Sequence, residues 1–75
     1  MSEEAAHSAK RRVLKEWMTQ SLSREERLVL LLYYYEGMTM NEIGLTFGVS
    51  ESSVARMHSS LLQRARALLR RRGLG

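Results

Sequence analysis

Seventy-five residues without cysteine or proline make one small domain, near the lower size at which a chain buries a core without metal or disulfide support. The missing cysteines exclude disulfide staples and thiolate zinc sites, and His7 and His58 stand far apart with no carboxylate pattern around them, so no metal site is expected. Twelve Lys+Arg against eight Asp+Glu give a net charge of +4 and a pI near 10.1, with the bases gathered towards the two ends, which fits a polyanionic partner.

The opening segment MSEEAAHSAKRR carries acids before bases and no apolar stretch, unlike a secretory leader, and predicts a cytoplasmic protein. Residues 3–20 place Ala6, Ala9, Val13 and Trp17 on one side, with Leu14 and Met18 on the neighbouring row and Lys10, Arg11, Arg12 and Lys15 largely elsewhere. That periodicity predicts an amphipathic helix.

Ser23 followed by Glu26 is a capping-box pattern and starts a second helix. Its run LVLLLYYY, residues 28–35, is too short to span a bilayer, and no membrane association is expected. On propensity it could be a strand, but the cap before it and Gly37 after it favour a helix of about fourteen residues. Apolar nearly all round, it is expected to be central and buried, with Tyr33, Tyr34 and Tyr35 in the core and at its boundary. Some of Leu28, Leu31, Leu32 and Tyr35 are expected to stay partly exposed as a groove for a partner helix.

Thr39 with Glu42 repeats the capping box, predicting a third helix over about 40–47 that stops at Gly48. Ser50 caps a fourth, with Glu51 in its first turn, running to about Arg71. The segment LLRRRGLG after it is expected to fray. The fold class is all-α: four helices containing a helix-turn-helix without a wing.

Gly44 and Gly48 fit the two places where such a motif needs small residues, the close helix crossing and the tight turn. Ile43, Phe47, Val49, Val54 and Met57 are the apolar positions expected to pin the pair together; the alternative is an ordinary helical hairpin. Stepping about 100° per residue from Val54 as the inward direction, Met57, Leu61, Ala65 and Leu68 face in. Ser52, Arg56, Ser59, Ser60 and Gln63 face out, with Ser53 at the flank and His58 at the edge of the inward face as a packing residue.

Short polar side chains let a helix sit deep in a major groove, so Ser52, Ser53, Ser59, Ser60 and Gln63 are candidate DNA contacts, and Arg56 is the candidate for bidentate contact with a guanine. Arg64 and Arg66, two turns further on, are candidate phosphate contacts, and Thr39 and Ser50, opening the third and fourth helices, complete the set. No nucleophile has a base at a credible spacing, no glycine-rich loop follows a strand, and the carboxylates are accounted for by caps or exposed faces, so neither an enzyme nor a cofactor is expected.

The stretch SREERLVLLLYYYEGMTMNEIGLTFGVSESSVARMHSSLLQRAR resembles region 4 of bacterial sigma-70 family sigma factors, most closely the flagellar and sporulation branch. The resemblance covers about residues 22–69, without insertion. It implies that the fourth helix reads a minus-35-type element of double-stranded promoter DNA, and that a groove between the earlier helices grips the flap of the RNA polymerase β subunit. Glu51, Ser52 and Ser53 replace an arginine-rich triplet usual in housekeeping factors, and Ser53 stands where the flagellar branch usually keeps an arginine.

No segment resembles the promoter-melting region, so the expectation is an excised domain or a stand-alone module. It divides as an N-terminal helix or linker over 1–21, the helix-turn-helix domain over 22–69 and a basic flexible tail over 70–75. A competing reading, from a different class, is a sigma-like protein-interaction module that binds an anti-sigma factor or the flap with weak or no DNA contact.

Overall fold

The computed structural model describes residues 2–75. Four helices follow in chain order: α1 Glu3–Gln20, α2 Arg24–Tyr34, α3 Met40–Phe47 and α4 Glu51–Arg71, with no strand among the described residues. Each start is set by a hydroxyl in extended backbone. Ser2, Ser23, Thr39 and Ser50 accept the N–H three residues on, satisfying one of the donors a helix start leaves without a partner.

At α2 and α3 the cap is reciprocal. The Ser23 N–H donates to Glu26 Oε1 at 2.8 Å, and the Thr39 N–H donates to Glu42 Oε1 at 3.0 Å. The backbone N–H of Ser23, and after it the Arg64 guanidinium, hold the Glu26 carboxyl below its ordinary value of 4.5; the Thr39 N–H and hydroxyl do the same for Glu42. A carboxyl whose folded value is depressed contributes stability that is present above the unfolded value and lost as pH falls through the folded one. Acid titration followed by circular dichroism is therefore expected to lower the melting temperature progressively below about pH 4.5, and Glu26→Gln with Glu42→Gln to flatten that acid limb.

The core is built in two clusters. Leu22, Leu30 and Leu61 pack with Trp17 and Met18 of α1, while Val29, Ile43 and Val54 pack with Leu32, Tyr33, Met38, Met40 and Phe47. Met57 touches both. Ile43 is wholly shielded from solvent, and such a side chain contributes about 1.5–3 kcal/mol by leaving water. Trp17 and Met18 carry α1 into the core across the division expected at residue 21.

The second helix departs from the expectation of a central, buried helix, although exposure at Leu31 and Tyr35 is what was expected of part of its apolar set. It ends at Tyr34, and only its Val29 and Leu30 are buried; Leu31 (37% exposed), Tyr34 and Tyr35 (82% exposed) face solvent. A helix in a 75-residue domain has neighbours on one side only, so an apolar circumference cannot all be covered.

The carboxyl end also differs from the frayed tail expected. Gly73 adopts φ +71°, its N–H returns to the Arg70 carbonyl at 3.0 Å, and Leu74 N–H reaches the Leu69 carbonyl at 2.7 Å. This is a Schellman closure, so Arg70 and Arg71 belong to α4 and residues 72–74 to its cap. The radius of gyration is 13.7 Å, against about 11 Å for a compact chain of this length. The first turns of α1, exposed apart from half-buried Ala6 and Ala9, fit that extension.

Candidate nucleic-acid interface

Two glycines set the angle between α3 and α4. A Cβ added to Gly44 would lie 2.7 Å from the Val49 carbonyl oxygen, closer than real Cβ atoms come to backbone, so only glycine lets the turn pass so near. Gly48 takes φ +72°, where side chains with a Cβ are strained, and the N–H groups of Gly48 and Val49 both return to the Gly44 carbonyl. The motif expected from these spacings is present.

Of its expected apolar pins, Ile43 and Val54 are buried and Phe47 and Met57 partly so. Val49 is a correction. The residue is 48% exposed, because the close approach is made by its backbone carbonyl rather than by its isopropyl group.

Ile43 and Val54 lock α4 with one side down, and the opposite side presents Ser52, Arg56, Ser59, Gln63, Arg66 and Arg70, all exposed at spacings of three and four residues. This stripe is about 27 Å long at 1.5 Å per residue. Ser60 lies exposed beside it, and Ser53 is half-buried at its flank. Arg56 and Arg66 form no ion pair among the described residues.

At the N-terminal end of the stripe the hydroxyls are linked. Ser50 Oγ accepts the Ser53 N–H at 3.1 Å and lies 3.1 Å from Ser52 Oγ and 2.9 Å from Ser53 Oγ. Arg56 Nη2 donates to Ser53 Oγ at 3.2 Å. Thr39 and Ser50 are exposed caps at the starts of α3 and α4.

Arg64 sits elsewhere than a free phosphate donor would. Its Nη1 is 2.7 Å from Glu26 Oε2, and its guanidinium lies 5.7 Å from the Trp17 ring centroid. The side chain turns towards α1 and α2 because a position 80° round the helix from Arg56 is within reach of both. With side chains 43% and 23% exposed, the ion pair contributes about 0–1 kcal/mol. His58 is the packing residue expected: its Nε2 is 2.7 Å from the Tyr34 hydroxyl, and its ring lies 5.0 Å from that of Tyr33.

On the other side of the molecule Leu31 and Tyr35 line an open apolar groove between α1, α2 and α4. Leu14, Trp17, Met18, Tyr34, Leu62 and Ala65 complete its walls, and its rim continues to Arg11, Lys15, Arg27 and Glu36. Leu28 and Leu32 are half-buried and not part of that lining. Sequence reading expected a groove between the earlier helices but named lining residues on α2 alone and none on α1, although Leu14 and Met18 form a second apolar row visible in the helix periodicity. Arg27 Nη1 fastens that wall by donating to the carbonyls of Met18 and Thr19 at 3.3 and 3.2 Å. No helix among the described residues is long and apolar enough to cross a membrane.

The family model described as Sigma-70, region 4 matches residues 20–71. The chain is 52% identical over 48 residues to RNA polymerase sigma factor FliA of Pseudomonas aeruginosa, covering 64% of this chain and 19% of that protein. It is 44% identical over 50 residues to FliA of Salmonella typhimurium, covering 67% and 21%. With RNA polymerase sigma-D factor of Bacillus subtilis it shares 40% identity over 48 residues, covering 64% and 19%. The chain thus matches about a fifth of the length of these relatives. No solved structure matches it.

Proposed function

The chain belongs to the sigma-70 region 4 family, and from that premise we propose that it binds double-stranded promoter DNA in bacterial transcription initiation, reading a minus-35-type element with α4. The observation that carries this reading is the exposed stripe of hydroxyl, amide and guanidinium groups on α4, opposite the side that Ile43 and Val54 pin down.

In the proposed complex the first turns of α4 enter the major groove. Ser52, Ser59, Ser60 and Gln63 give the helix short polar contacts, and Arg56 pairs with the N7 and O6 of a guanine. Beyond Gln63 the helix leaves the groove, where Arg66, Arg70 and Arg71 meet phosphates. Thr39, the exposed cap at the start of α3, and Ser50, at the start of α4, lie against the phosphate strand. Residues 22–69 form the reading unit, flanked by 1–21 and 70–75.

Three phosphate-neutralising arginines, Arg66, Arg70 and Arg71, predict a slope of roughly −3 in the logarithm of the binding constant against the logarithm of salt, at about −0.9 each. Fluorescence anisotropy with a site selected from a random pool measures it. Arg66→Ala is expected to reduce the slope by about one. Arg64→Ala is expected to leave the slope alone and lower only thermal stability, since its guanidinium is held by Glu26 and Trp17. Binding that ignores salt, or no binding at low salt, overturns the reading.

A second surface is supported by the apolar groove. We propose that Leu31, Tyr35 and the α1 wall receive a helix of the RNA polymerase β flap, with Leu28 and Leu32 supporting α2 from beside it; an anti-sigma factor is the alternative occupant. Amide exchange with and without a flap-derived peptide is expected to slow across residues 11–36. Unchanged protection there counts against docking at this groove.

A further inference from the structure

We propose that Ser53 is a positioning residue that fixes the pose of the Arg56 guanidinium and so sets the sequence preference of α4; this rests on Arg56 being a base contact. Arginine has a long side chain with several soft torsions, and ordering it only on binding opposes affinity for any site. Here the ordering precedes binding. Ser53 is a half-buried residue whose Oγ is held from one side, because Ser50 Oγ lies 2.9 Å from it while Ser50 is itself fixed as the cap by the Ser53 N–H.

That ring of two serines leaves an acceptor site on Ser53 Oγ, and Arg56 Nη2 fills it at 3.2 Å. One Nη2 hydrogen is used in this contact. The second, with those of Nη1, stays free for the two acceptors of a guanine, so the pose costs none of the bidentate geometry. A free arginine finds phosphates as easily as bases, whereas one tethered at its helix keeps to the base edges beside it.

The test is a double-mutant cycle on the full chain, with affinities for a selected site and for random DNA read by anisotropy and folding checked by circular dichroism. Ser53→Ala is expected to cut the specific-to-random ratio about three- to tenfold, the effect of one net hydrogen bond. Ser53→Thr, which keeps the hydroxyl, is expected to preserve it. In an Arg56→Ala background Ser53→Ala is expected to change the ratio no further.

A Ser53→Ala loss that persists undiminished without Arg56 means that Ser53 touches DNA itself and overturns the positioning role, as does an unchanged ratio in Ser53→Ala. If Arg56→Ala leaves the ratio intact, the base-contact reading falls first and this inference with it.

Discussion

Replacing Arg56 by alanine is expected to cost about 1–3 kcal/mol on the preferred DNA site and little on random DNA, compressing the ratio between them by tenfold or more at the upper end. The asymmetry follows from position. Arg56 lies one turn into α4 on the side opposite Val54, where a side chain meets base edges, and among the described residues it forms no ion pair. Arg66, nearly three turns further along, is the proposed phosphate contact, and its removal should weaken both DNAs alike. Equal losses on specific and random DNA for Arg56→Ala would mean that α4 is not docked by its N-terminal turns, and the groove between α1 and α2 would then become the working surface.

The second large effect is expected at Gly44. Elsewhere in a helix, glycine to alanine gains up to about 1 kcal/mol from propensity. At Gly44 the sign should reverse, because the new methyl would sit 2.7 Å from the Val49 carbonyl oxygen, a backbone atom that moves only if the turn moves. Overpacking of this kind costs about 1–3 kcal/mol, a large part of the roughly 4–11 kcal/mol available to a domain of this size. The melting temperature of Gly44→Ala should fall by about 5–20 °C. Relief of the clash by prising α3 from α4 would also tilt the α4 stripe and weaken DNA binding at temperatures where the variant is folded. A melting temperature that rises would show that the two helices do not approach as described.

Much of this fold was legible because its punctuation is local. Ser23, Thr39 and Ser50 act within three residues of themselves, and Gly48 ends α3 through its own φ, so no distant contact had to be foreseen. The inward side of α4 followed from periodicity for the same reason. What escaped depended on neighbours across the chain. Arg64 reads as one more exposed base until Glu26 and Trp17 arrive from α2 and α1, and the solvent-facing side of α2 is decided by how few helices surround it. Val49 misled because the backbone and the side chain of one residue serve opposite purposes there. The Schellman closure was within reach, since glycine after an arginine-rich helical end is a stop signal that outweighs the frayed look of LLRRRGLG.

The two core clusters meet at one side chain, Met57, and beyond it are joined by the α2 and α4 backbones. Methionine is unbranched and soft, and it adapts its shape at little cost. That side chain absorbs a change of shape on either side, while the two shared backbones carry any shift of a helix axis to both. A substitution that reshapes the wall formed by Leu22, Leu30 and Leu61 is therefore felt at Ile43 and Val54 only as far as it moves the axis of α2 or α4. Under the proposed function, side-chain changes that leave both axes in place alter the apolar groove and spare the polar stripe on α4, so partner and DNA preference are separable within one fold.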